Sequence, residues 1–65
     1  MAKYPDVTVE LSGQDGNGMM VLALVLRGLR RAGVPAAELD AFAVEATSGN
    51  YDHLLQTAMA WVEVE

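Results

Sequence analysis

The chain has 65 residues, no cysteine, a single histidine, and a formal charge of −5 from nine acidic against four basic residues. That length is one domain near the lower limit for folding alone, and the missing cysteines exclude disulfides and thiolate zinc sites as its staples. The acidic balance excludes the basic face that grips nucleic-acid phosphates, and the 52% hydrophobic content exceeds what so small a body hides, so self-association is the expected source of further burial.

In chain order, Tyr4-Pro5 reads as an extended lead-in, because proline fixes its own backbone and biases its predecessor away from helix. Val7, Val9 and Leu11 then alternate with Thr8, Glu10 and Ser12, the pattern of a half-buried strand. Gly13 to Asn17 is a turn, with Asp15 or Asn17 placed to cap the helix expected from about Gly18 to Ala32. Arg27, Arg30 and Arg31 fall in its last turns, where cations complement the carbonyl end of the helix dipole. Gly33 suits the position just past that helix, and Pro35 the opening of the next.

Met19 to Leu26 is apolar in every direction around the first helix axis. A helix of that kind must be surrounded, and the rest of the chain offers too few elements to do it. Met19, Met20 and Leu22, together with Trp61, are therefore the expected oligomer interface. The run is also too short for a bilayer span of about 20 residues, and the residues before Asp6 do not resemble a signal peptide. A cytoplasmic protein with neither membrane nor nucleic-acid partner follows as the expectation.

The second helix, about Ala36 to Thr47, places Leu39, Phe42, Ala43 and Ala46 on one stripe. Gly49 is expected to stop it in a left-handed conformation. Asn50 then caps a third helix, about Tyr51 to Ala60, whose buried stripe is Leu54, Leu55, Ala58 and Met59. Trp61 to Glu65 closes the chain as an alternating strand with Val62 and Val64 on the core side. The fold class is α+β: a single small β-α-α-α-β domain over residues 1–65, its helices packed on a short two-stranded sheet that oligomerisation completes.

If short connections make successive helices antiparallel, the loop of Gln14, Asp15, Gly16, Asn17 and Gly18 meets the loop of Thr47, Ser48, Gly49, Asn50, Tyr51, Asp52 and His53 at one end of the domain. Each loop opens a helix, whose first N–H groups bind phosphate or carboxylate without a basic side chain. Asn, Asp and Gly are equally the ordinary residues of caps and turns; two such loops on one face are what favours a ligand site. No named motif is present. The glycine loop lacks the Lys and Ser/Thr of a P-loop and the spacing of a dinucleotide fingerprint, and Leu26 stands where a calcium loop needs Glu. No cofactor and no metal site is implied. Asp52 and His53 are adjacent on a helix and point about 100° apart, so Asp52 does not orient the ring. His53 and Tyr51 are better read as ligand contacts than as catalytic groups.

The "DGNG" opening and the segment Gly49-Asn50-Tyr51-Asp52-His53-Leu54-Leu55 resemble small proteins of bacteriophages and other mobile elements, over nearly the whole chain. The resemblance implies binding rather than catalysis, in the host cytoplasm: sequestration of a host protein, or of a nucleotide-derived signal used in antiviral defence. The leading expectation is thus a non-enzymatic homo-oligomer that captures a small anionic, nucleotide-like ligand. Two alternatives stand beside it. One is an acidic inhibitor that covers a host protein's basic site with Glu10, Glu63 and Glu65; the other is a small hydrolase using His53.

Overall fold

A computed structural model of the chain describes residues 2–13 and 16–65. The elements follow the order β-α-α-α-β: β1 (Tyr4–Val9), α1 (Gly18–Arg31), α2 (Ala36–Ala46), α3 (Tyr51–Trp61) and β2 (Val62–Val64). The two strands lie side by side and parallel, so the three helices between them form one long crossover that returns the chain to the same end of the sheet. The result is a small α+β domain with its helices packed against a two-stranded sheet.

The core is built from the periodicities of the elements. Val7, Val9 and Leu11 point one way from the first strand segment and are buried. Val21, Val25 and Leu29, spaced four apart on α1, cover them, and no more than 1% of any of the three is exposed. Phe42 and Ala46 of α2, Leu54 and Ala58 of α3, and Val62 of β2 complete the cluster. Gly28 brings α1 onto the sheet: a Cβ there would stand 3.0 Å from Val9 Cγ2 and 3.4 Å from Val7 Cγ1.

Both helix starts at the glycine-rich end are capped as their asparagines suggest. Asn17 Oδ1 accepts from the Met20 N–H at 3.1 Å, and Asn50 Oδ1 from the His53 N–H at 2.9 Å. Gly33, with φ of 84°, supplies the left-handed residue after α1.

Four expectations need correction. The first strand begins at Tyr4 rather than Val7, because Tyr4 pairs with Val62 across an irregular register that resumes at Thr8. Gly49 is not left-handed; glycine is needed there for space, as shown below. Met59 is 57% exposed, and Thr57 takes its place inside, its hydroxyl donating to the His53 carbonyl one turn back at 2.8 Å. Val64 is also exposed, although it pairs with Val9.

Within one chain, α1 is covered on one side only. Leu22, Leu24 and Leu26 are half-buried, while Met19 is 85% and Met20 42% exposed.

Candidate functional site

The starts of α1 and α3 lie together. The Gly16 N–H donates to the Tyr51 hydroxyl at 3.0 Å, across a sequence separation of 35 residues. One turn further in, a Cβ at Gly18 would touch Leu54 Cδ2 at 3.3 Å and Tyr51 Cδ1 at 3.6 Å, so the two helices begin in contact. The convergence of the two polar loops follows from these contacts.

Between them opens a cleft of about 380 Å³, within the roughly 300–1,000 Å³ that small-molecule sites occupy. Leu22, Ala46 and Leu54 give it an apolar floor. Gly16, Gly18, Thr47, Gly49, Asn50 and Tyr51 form its rim, and Met19 stands at the mouth. No side chain lining it is basic. A negative group there would therefore be met by main-chain N–H donors of the first turns, of which each asparagine cap satisfies only one. On α1, those of Gly18 and Met19 precede the capped N–H of Met20 and have no acceptor within the helix.

The expected site residues divide accordingly. Gly16, Gly18, Asn50 and Tyr51 line the cleft, and Asn17 holds the α1 start from behind as its cap. Gln14 and Asp15 lie outside the described residues. Asp52 is exposed in the first turn of α3 without lining the cleft. Ser48 and His53 turn toward the end of α2 instead.

His53 Nε2 is ringed by oxygens: the Glu45 carbonyl at 2.9 Å, Glu45 Oε2 at 3.0 Å and Ser48 Oγ at 3.1 Å. A carbonyl only accepts, so Nε2 carries the hydrogen in this arrangement. The Ser48 hydroxyl for its part donates to the Glu45 carbonyl at 2.7 Å. A nitrogen that donates cannot take the serine's proton, and the carboxylate sits on the same nitrogen rather than on the far side of the ring, as a triad requires. The cluster ties the start of α3 to the last turn of α2.

Of the expected interface residues, Met19 and Leu22 line the cleft, Met20 is exposed nearby on α1, and Trp61 lies at the opposite end, where α3 finishes. There Trp61 packs edge-on against Phe42 (centroids 5.3 Å apart) and beside Tyr4 at 5.9 Å. Lys3 Nζ lies 4.3 Å from the centre of the Trp61 ring and pairs with Glu38, which also accepts from the Tyr4 hydroxyl at 3.0 Å. The bond to Lys3, then that to Tyr4, holds the Glu38 carboxyl below its ordinary pKa; the same bond to Glu38 raises the Lys3 ammonium. Partial burial, then Glu38, raises the Tyr4 phenol. Tyr4 and Trp61 are thus packed against each other, and Trp61 against Phe42, within the chain.

Ala46 and Leu54 were not among the sequence candidates for the cleft, since they carry only a core signal; Thr47 and Gly49 belong to the second of the two loops and stand on its rim. Among the described residues, no helix is long and apolar enough to cross a membrane, and no group of acidic and histidine side chains forms a metal cluster. Comparison with protein-family models, with curated proteins and with solved structures finds no match to this chain.

Proposed function

We propose that the protein is a non-enzymatic binding module that captures a small nucleotide-like ligand in the cleft between α1 and α3. The observation that carries this reading is the Gly16–Tyr51 hydrogen bond, which joins two helix starts around one cavity. An apolar floor of Leu22, Ala46 and Leu54 beside the Tyr51 ring suits a flat heterocycle. The first-turn N–H groups at the rim suit its phosphate, since a helix start attracts anions through aligned donors and dipole together. Glycine at 16, 18 and 49 lets such a group approach the main chain.

A binding role fits better than turnover because Ser48 and His53 point away from the cleft and both donate to Glu45. The protein would act by stoichiometric sequestration, as a homo-oligomer whose further contacts cover Met19 and Met20. If it works in a phage-infected cell, the captured ligand would be a host nucleotide signal.

Calorimetric titration with nucleoside mono- and triphosphates and with cyclic dinucleotides tests the reading. Saturable binding of at least one, with the ligand recovered chemically unaltered after heat release, is the expected result. If no phosphate-bearing compound binds the folded protein, the reading falls; if the recovered ligand is cleaved, the protein is an enzyme.

A further inference from the structure

The outward face of α1 is divided. Met19, Met20 and Ala23 make its first half, and Arg27, Arg30 and Arg31 its second, all exposed. Three of the four basic residues of the chain therefore stand within two turns of one helix. Among the described residues the ion pairs are Lys3–Glu38 and His53–Glu45, and neither includes one of these arginines; Arg27 and Arg31 share a groove with Glu10 without an ion pair there.

The matching surface is the open side of the sheet, opposite the helices. Thr8 pairs with Glu63 in register. The Leu11 N–H donates to the Glu65 carbonyl at 2.8 Å and the Glu65 N–H to the Val9 carbonyl at 2.9 Å, which sets Glu10 opposite Glu65. Like charges directly across a strand pair destabilise each other, and a cation from outside relieves that repulsion.

We infer that the protein assembles head to tail, the arginine-bearing face of α1 in one copy seated on the Glu10–Glu63–Glu65 face of the sheet in the next. This rests on the homo-oligomer part of the proposed function, and names the surfaces. The arginines stand on the outward side of α1, which packs on the inner face of the sheet through Gly28, and the glutamates stand on the other face. Two copies therefore do not join both patches reciprocally, and the contact is heterologous: it builds a ring or a filament rather than a closed pair.

Extending the sheet by self-pairing along the outer edge of β1 is less favourable. Pro5 offers no N–H to a further strand, and the register of β1 is irregular between Tyr4 and Thr8. The overall charge of −5 does not prevent the head-to-tail contact. Copies at least 20 Å across have their centres further apart than the Debye length of about 8 Å at physiological salt, whereas facing side chains lie within it.

The test is light scattering coupled to size exclusion across a wide range of protein concentration, on the parent and on two charge-reversed variants, R27E/R30E/R31E and E10K/E63K/E65K. The parent is expected to exceed a dimer at low salt and to associate at least about tenfold more weakly at high salt, where charges are screened. Each reversed variant should run as a monomer with unchanged circular dichroism, and an equimolar mixture of the two should reassemble. The glutamine versions R27Q/R30Q/R31Q and E10Q/E63Q/E65Q serve if a reversed variant does not fold, and should weaken assembly in the same direction.

A monomeric parent would overturn both the oligomer reading and this contact. A parent that assembles as a strict dimer, or an assembly unmoved by either set of variants, would overturn the contact alone, as would a mixture that stays monomeric. Nucleotide titration of the monomeric variants reports on the cleft separately.

Discussion

A side chain at position 49 would collide with His53: a Cβ there would stand 2.9 Å from both Cβ and Cγ of that residue. Gly49 lets α3 start directly beneath the end of α2. Replacing it with alanine pushes the ring off the Glu45 carbonyl or tilts α3. Gly49→Ala is expected to destabilise the fold by about 1–3 kcal/mol, the usual cost of overpacking. Thermal unfolding measures it, and a double-mutant cycle with His53→Gly should show strong coupling, because that change removes both the Cβ and the ring that a Cβ at position 49 would strike. A Gly49→Ala protein as stable as its parent would refute this account of the turn.

Tyr51 accepts the Gly16 N–H through its hydroxyl alone, so Tyr51→Phe removes that acceptor and keeps the ring. The expected loss of stability is about 0.5–1.5 kcal/mol, that of a single hydrogen bond. The sharper readout is amide hydrogen exchange, which should accelerate more at Gly16 than at Val25 and Leu29 in the core of α1, where it follows only the global loss of stability. Equal exchange at Gly16 in both proteins would mean that the two loops are not joined in solution.

Asn50 separates the structural and functional roles of its loop. Asn50→Asp keeps an oxygen for the His53 N–H and adds a negative charge at a helix start, so stability should stay within about 0.5 kcal/mol. That same charge stands on the rim of the cleft, and nucleotide affinity should fall at least about tenfold through like-charge repulsion. Asn50→Ala, which loses the cap, should instead cost about 1 kcal/mol of stability. Undiminished nucleotide binding by Asn50→Asp would place the phosphate elsewhere.

At the other end, the Lys3–Glu38–Tyr4 cluster sets a pH dependence. The Glu38 carboxyl is held below its ordinary value of 4.5, so its contribution is present above that pH and is lost as pH falls through the depressed folded-state value. Lys3 and Tyr4 are raised above 10.5 and 10.0, so theirs is present below those values and is lost as pH rises through the raised ones. Lys3 lies over the Trp61 ring and Tyr4 beside it, so indole fluorescence should report both transitions. Glu38→Gln should abolish the acid limb; an acid limb that persists in Glu38→Gln would assign it to other carboxylates.

The order of the elements was legible because local chemistry and burial agree along most of the chain. Val7, Val9 and Leu11 alternate and are buried; Asn17 and Asn50 precede helices and cap them; Gly33 follows one in a left-handed turn. The misreadings share a different cause. Thr57 and Met59 exchange roles because a hydroxyl satisfied by its own helix is no longer costly to bury, which hydropathy does not register. Gly49 offers the sequence signal of a helix stop, while its reason is a neighbour from the next helix. The meeting of the two loops followed from the up-and-down helix order. The side chains that turn away from the cleft, Ser48 and His53, did not, since their partner Glu45 lies across a turn in the preceding helix.

The parallel pairing of the first and last elements has a mechanical consequence. Held at Lys3 and Glu65 and pulled apart, the domain would carry the load along β1 in one direction and along β2 in the other. The bonds from the Lys3 N–H to the Ala60 carbonyl, and between Glu65 and its partners Val9 and Leu11, would be strained together in shear rather than opened one after another. Three helices would stay folded behind that short clamp until it gave way as a unit, a yield strength out of proportion to a sheet of only two strands.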